Sequence, residues 1–181
     1  CVICGSLAEV AALIRPIIVL IVLALTIGLI ACQPATAAPT ANLAPSDDEA
    51  LAVDALFTFF DKLQAGDYAE AAAYFGGSYE VLTGYNPEVD PADVATLWRN
   101  GCSINGLNCL AARSVTLADR PEPGEYTFNV EFSTREGELF VQLPCCGADE
   151  TEQPPVSLFS IHVARGADGR YRVIDLPPYT P

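Results

Sequence analysis

Residues 125–132 read Glu125-Tyr126-Thr127-Phe128-Asn129-Val130-Glu131-Phe132. Every second residue from Tyr126 to Phe132 is large and apolar or aromatic, whereas Glu125, Asn129 and Glu131 lie between them. A period of two is typical of a β-strand with one buried face. The stretch therefore predicts a strand in a sheet that packs on a core with one side only.

Shorter apolar runs on either side of this stretch also have the period of strands. Gly166-Ala167-Asp168-Gly169 predicts a hairpin turn between the last two runs. This order predicts an antiparallel sheet of about four to six strands. The runs are Val115 and Leu117, Leu139–Leu143, Val156–Arg165 and Tyr171–Leu176.

Before Cys109 the apolar residues recur at helical spacing instead. Ser46 and Glu49 form a capping box, and the helix that they start is expected to end at Gly66. Its apolar positions are Val53, Leu56, Phe57, Phe60 and Leu63. A second, short helix is expected from Asp67 to Gly76-Gly77, and a third from the N-cap Asp90 to Gly101. Helices followed by strands predict an α+β domain over residues 47–181, with the helices on one face of an antiparallel sheet.

Two segments of this domain resemble those of a known family. Residues 60–72 are similar to the first helical hairpin of NTF2-like (cystatin-like) domains, and residues 169–176 to their last strand. The resemblance implies an α+β cone, in which N-terminal helices pack on a curved antiparallel sheet and one sheet face lines a pocket. It implies no single activity, because this fold hosts isomerases, dehydratases and binding modules.

The segment before the domain indicates export. Residues 16–31 contain no charge, and this run is shorter than the roughly 20 residues of a spanning helix. It ends in Leu29-Ile30-Ala31-Cys32, which resembles the bacterial lipobox. The resemblance implies a signal peptide over residues 1–31, cleavage between Ala31 and Cys32, and a lipid on Cys32. A plain signal peptide and an uncleaved anchor are the alternatives.

Residues 32–46 are rich in Pro, Ala and Thr, and we interpret them as an extended tether. The domain is then expected at the cell membrane, lipid-anchored on the extracytoplasmic face. The sequence lacks Met and opens with Cys1, so we expect its true start to be missing.

The charge of the chain excludes one class of partner. The formal net charge is -14, and a surface of this sign repels nucleic acid. We expect no cofactor and no metal, because the chain has one His and its cysteines lack the spacing of zinc ligands.

Four cysteines lie in the predicted domain: Cys102, Cys109, Cys145 and Cys146. In an exported protein an even set favours disulfides, with free thiols and a metal site as alternatives. A bond between the neighbours Cys145 and Cys146 would be strained, so each is expected to pair with Cys102 or Cys109. The sequence leaves both of these pairings open.

Two sets of side chains are candidates for a site. His162 lies on the more polar face of its strand, and with Asp175 on a neighbouring run it could perform acid–base chemistry in a cone pocket. The alternative is a surface His with a solvated Asp. Four aromatic residues could line an apolar pocket or belong to the core: Phe57, Phe60, Tyr68 and Phe75.

The sequence thus favours a membrane-tethered domain that binds a small apolar ligand or another envelope protein without turnover. A small isomerase, dehydratase or hydrolase that uses the cone pocket is the first alternative. A passive structural lipoprotein is the second.

Overall fold

The computed structural model describes residues 46–180. Four helices precede four strands, which confirms an α+β domain. The predicted signal peptide, its cleavage site at Ala31, Cys32 and the tether up to residue 45 lie outside the described residues. The elements are α1 (Asp47–Ala65), α2 (Tyr68–Ala71) continued by a 3₁₀ turn (Ala72–Tyr74), α3 (Glu80–Tyr85), α4 (Val94–Ser103), β1 (Ala111–Asp119), β2 (Glu125–Ser133), β3 (Phe159–Arg165) and β4 (Tyr171–Val173).

The four strands form one open antiparallel sheet in the order β1-β2-β3-β4. The predicted run Leu139–Leu143 is not a strand of this sheet, and that prediction is wrong. It makes only isolated bridges, between Ser133 and Leu139 and between Gln142 and Val156. Pro144 and Pro154, which lack an N–H donor, prevent the ladder from extending on one side of the Gln142–Val156 bridge. On the other side the Phe140 N–H donates to the Phe132 carbonyl of β2 instead.

Helix α1 begins and ends where the sequence predicted. The Ser46 hydroxyl accepts a hydrogen bond from the Glu49 N–H, and Gly66 ends the helix with a left-handed φ of 82°. The buried stripe differs from the expectation at several positions, since Ala52 and Ala55 are buried and the predicted Val53 is only half-buried. Phe59 is fully buried, whereas Phe57 is only half-buried. The helix lies across the sheet and contacts β1, β3 and β4.

The third predicted helix starts later than expected. Asp90 caps a separate turn, in which its carboxylate accepts from Ala92 N–H, and Asp93 is the N-cap of α4. The predicted end at Gly101 is also wrong, since α4 runs to Ser103. Gly101 lies inside the helix and is buried. A side chain does not fit at this position, because a Cβ there would lie 2.9 Å from Leu82. Helix α3 was not predicted.

The core lies between the helices and one face of the sheet. Alternate residues of β2, as predicted, point into it together with Ile161, Val163, Tyr171 and Val173. Trp98 of α4 is fully buried in it, and its ring contacts the rings of Phe59, Phe75 and Tyr79 edge to face. The opposite face of the sheet is polar and faces solvent, as is common for antiparallel sheets.

Within residues 46–180, no helix has the length and apolar character needed to cross a bilayer.

Candidate functional site

A small apolar groove lies where α3, the segment after α4 and the C-terminal segment meet. It has a volume of about 140 Å³. We refer to it as the tyrosine groove, because Tyr85 and Tyr179 line it. Its lining residues are Val81, Leu82, Tyr85, Asn105, Leu107, Leu176, Pro177 and Tyr179.

A cluster of asparagines holds α3 in position beside α4. The buried Asn86, directly after α3, donates to the Leu82 carbonyl at 2.7 Å and to the Asn105 side chain at 3.2 Å. Its side-chain carbonyl accepts from Asn100 of α4 at 2.8 Å. Both functional groups of this buried amide are therefore satisfied, which fixes the wall of the groove.

The other wall is a short backbone ladder. Thr180 donates its N–H to the Gly106 carbonyl, and Asn108 donates its N–H to the Pro178 carbonyl. The Asn108 side chain adds bonds to the Pro178 carbonyl and the Thr180 hydroxyl. Gly106 has a φ of 81°, and a Cβ there would lie 2.3 Å from the Thr180 carbonyl oxygen. The ladder thus depends on a glycine, and it presents Tyr179 at the rim.

The rim of the groove is apolar and exposed. Val81, Tyr85 and Tyr179 retain 50%, 56% and 42% of their accessible surface. Desolvation raises the pKa of Tyr179, and its hydrogen bond with Tyr85 raises it further. The Tyr179 phenol is therefore neutral at physiological pH. Exposed apolar residues that converge on a groove are typical of a contact surface.

The structure brings His162 and Asp175 together, as the candidate site required. The His162 Nδ1 lies 2.7 Å from the Asp175 Oδ2. The same oxygen accepts the His162 backbone N–H at 2.6 Å, so the carboxylate also clamps β3 to the segment after β4. The pair lies on the solvent face of the sheet, where the His162 side chain is 54% exposed. The expected location in a pocket is therefore wrong.

The four candidate pocket aromatics lie in different surroundings. Phe60 and Phe75 are enclosed in the core, with 0% and 6% exposure, where they pack against other rings. Phe57 is half-buried on α1. Only Tyr68 borders a surface hollow. The core between helices and sheet is filled by aromatic side chains, because the spacing that suggested a pocket also suits close packing.

The predicted pairing of the cysteines is wrong. Cys102 is bonded to Cys109, with their Cα atoms 5.5 Å apart, whereas Cys145 and Cys146 are free. The physical reason is local: Cys102 lies in the last turn of α4, and the chain turns back at Gly106 and brings Cys109 to it before β1 begins. The prediction of a disulfide in the domain is confirmed.

Two wider hollows lie elsewhere on the domain. One, of about 450 Å³, lies beside α1 between Asp54 and Arg170. The other, of about 430 Å³, is bordered by the Cys102–Cys109 disulfide and Arg135. Both have the volume of small-ligand sites. Each opens to solvent at an exposed charged residue, so neither has the enclosed apolar character of such a site.

Comparisons of this chain with protein-family models, with curated proteins and with solved structures found no match. The resemblance of residues 60–72 and 169–176 to NTF2-like domains therefore rests on the sequence pattern and the element order alone. Among residues 46–180, no group of three or more His, Cys, Asp or Glu side chains is arranged to hold a metal ion.

Sequence reasoning missed the tyrosine groove. Its residues come from three short segments that are distant in the sequence, and α3 is too short for a helical period to be recognised. The available signals were local ones: Asn86-Pro87 as the stop of a helix, and the extended Pro177-Pro178 before Tyr179.

Proposed function

We propose that this protein is an exported lipoprotein whose domain binds another envelope protein through the tyrosine groove. The observation that carries the proposal is the exposed apolar rim formed by Val81, Tyr85 and Tyr179 around a preformed groove. Aromatic side chains at a rigid surface are typical of the centre of a protein interface.

The volume of the groove favours a protein over a small ligand. At about 140 Å³ it is smaller than the roughly 300–1,000 Å³ of small-ligand pockets. A hollow of this size suits one apolar side chain that anchors a larger contact. The two tyrosines add hydroxyl groups at the rim, where they can bond to the backbone of the partner.

The anchoring part of the proposal rests on Leu29-Ile30-Ala31-Cys32 and the apolar run before it. A lipid on Cys32 would hold the domain at the membrane. Cys32→Ser is expected to abolish incorporation of labelled fatty acid into the full chain. Equal labelling of the variant and the parent chain would reject Cys32 as the lipid site.

For the fold we propose a variant of the NTF2-like cone. Helices on one face of a four-stranded antiparallel sheet support this proposal. The interior differs from a ligand-binding cone, because fully buried Phe59, Phe60 and Trp98 occupy the space between helices and sheet. Because aromatic side chains fill the interior of the cone, a partner would bind at the groove on the outer surface. A solved structure with a different strand order would refute this proposal.

The interface is tested by photo-crosslinking in the producing cells. A photoreactive phenylalanine analogue replaces Val81 at the rim or, as a matched control, Leu117 on β1, which is 37% exposed and does not line the groove. We expect one discrete protein adduct at position 81 and none at 117. Tyr85→Asp should abolish that adduct, whereas Thr116→Asp on β1 should not. No adduct at 81, or equal adducts at both positions, would reject the interface and favour a passive structural role.

The His162–Asp175 pair favours a second candidate function, an acid–base enzyme of the hydrolase, isomerase or dehydratase class. A carboxylate at 2.7 Å orients the imidazole and leaves its other nitrogen free for substrate. Turnover of a substrate panel that is lost in His162→Ala and retained in Tyr85→Asp would favour this candidate over the interface. Turnover unaffected by His162→Ala would exclude the pair.

A further inference from the structure

The loop between β2 and β3 contains two thiols in direct contact. The Sγ atoms of Cys145 and Cys146 are 2.8 Å apart, and the Cys146 side chain is exposed while Cys145 is half-buried. The hydrogen bond to Cys146 raises the pKa of the Cys145 thiol. Cys145 therefore keeps its proton, and Cys146 is the accessible sulfur of the pair.

The backbone holds this contact in place. Ala148 donates its N–H to the Cys145 carbonyl, which closes a turn with Cys146 and Gly147 at its central positions. Their φ values of 62° and 89° are those of a type I′ turn. A left-handed conformation is unfavourable for Cys, so the turn stores strain at this residue. The Cys145 N–H is bonded to the Gln153 side chain at 3.1 Å, which ties the turn to the other side of the loop.

We propose that Cys145 and Cys146 are a thiol–disulfide exchange site that acts on small, accessible disulfides. The Cys146 thiolate attacks one sulfur of the external disulfide, forms a mixed disulfide and releases one thiolate. The Cys145 thiol then loses its proton and attacks the Cys146 sulfur, which releases the second thiol and closes a bond between the neighbours. The two cysteines are oxidised and the external disulfide is reduced to two thiols, so electrons and atoms balance.

Strain makes such a bond reversible. Neighbouring Cα atoms are about 3.8 Å apart, below the roughly 4.4–6.8 Å that disulfides usually span. Strained and exposed disulfides are costly to form and easily reduced, so this pair closes in an excess of the external disulfide and opens again when that excess is removed. Cys102–Cys109, with Cα atoms 5.5 Å apart, lies within the usual range. The domain thus holds one structural bond and one exchanging pair.

The charge of the loop selects among disulfides. Asp149, Glu150 and Glu152 follow the pair, and residues 136–164 contain no Lys or Arg. The carboxylate of Asp149 accepts the N–H groups of Thr151 and Glu152, and the Glu152 bond in particular lowers its pKa, so it stays ionised. A cationic disulfide should therefore approach faster than an anionic one. The inference is independent of the tyrosine groove and stands if that interface is rejected.

The sequence makes the test direct. Trypsin places Cys145 and Cys146 alone in peptide 136–165, and Cys102 and Cys109 alone in peptide 100–113. The purified full chain, first reduced at the exposed pair, is treated with an excess of cystamine or oxidised glutathione and then alkylated. We expect peptide 136–165 to lose two hydrogens and to take up no alkylating agent. The external disulfide should release two small-molecule thiols for each chain that reacts. Stable mixed disulfides on both cysteines, or a link to peptide 100–113, would overturn the proposal.

Variants test the order of the steps and the role of the turn. Cys145→Ser should trap the mixed disulfide on Cys146, whereas Cys146→Ser should react more slowly at the half-buried sulfur. Gly147→Ala should slow ring closure, because its φ of 89° disfavours a side chain, while the matched Gly137→Ala should not. Cystamine should react about tenfold faster than oxidised glutathione at low ionic strength and lose this advantage in high salt. Equal rates of ring closure in Gly147→Ala and Gly137→Ala would refute the role of the turn. Equal rates with cystamine and oxidised glutathione at low ionic strength would refute the role of the loop charge.

Discussion

Removal of the Cys102–Cys109 disulfide is the sharpest test of the domain's architecture. The bond ties the last turn of α4 to the residue two before β1, with a sequence separation of 7. For a closed loop of about eight residues, the chain-entropy relation gives about 8 cal/mol/K, or about 2.5 kcal/mol at 25 °C. With roughly 2.1 cal/mol/K of unfolding entropy per residue over residues 46–180, the melting temperature should fall by about 9 °C.

The assay uses the full chain in mild detergent, with Cys102→Ser and Cys109→Ser combined. Trp98 is the only Trp of the sequence and is fully buried, so its fluorescence reports unfolding of the core in urea. The control combines Cys145→Ser with Cys146→Ser and should change the free energy of unfolding by less than about 0.5 kcal/mol. Equal losses in both variants, or a tryptic linkage between peptides 100–113 and 136–165, would refute the assigned bond.

Two further predictions follow from local geometry. Gly84→Ala in α3 places its methyl group in open space and should stabilise the domain by up to about 1 kcal/mol. Gly101→Ala in α4 crowds Leu82 and should destabilise the domain by up to about 2 kcal/mol. If urea unfolding shows that both variants change the stability in the same direction, the packing around these glycines is contradicted. The hydrogen bond from Arg172 lowers the pKa of Asp168 to about 2, so this pair should stabilise the fold above the ordinary carboxyl range and lose its effect as the pH falls towards 2. In Arg172→Gln an NMR titration should find the Asp168 pKa raised towards 3.8, and an unchanged value would reject the pair as the cause.

The sequence predicted those parts of the fold that follow from regular periodicity. The alternation from Tyr126 to Phe132 identified β2 and its buried face, and Ser46 and Gly66 bounded α1 because each cap acts on adjacent backbone groups. Leu139–Leu143 has the apolar residues of a strand but no partner beyond Val156. Strand pairing is a property of two segments, and one segment's composition cannot supply it.

The candidate site was predicted only where a contact lies within one sheet. The β3–β4 hairpin brings His162 and Asp175 together, and the sequence of its turn predicts that hairpin. The side of the sheet on which they lie also follows from alternation, since Ile161 and Val163 are buried. What could not be predicted was whether that side faces a pocket, because this depends on how the helices pack.

The pairing of the cysteines also depends on local backbone geometry that the sequence pattern did not reveal. Strain disfavours a permanent structural bond between the neighbours Cys145 and Cys146. The Cys102–Cys109 bond needs only a tight turn at Gly106, and this turn brings the two residues together without any long-range contact. Once the nearer partners are bonded, the type I′ turn leaves the remaining thiols facing each other. The strain that disqualifies this pair as a structural element is then what makes its oxidation reversible, and it is why peptide 136–165 rather than 100–113 should respond to an external disulfide.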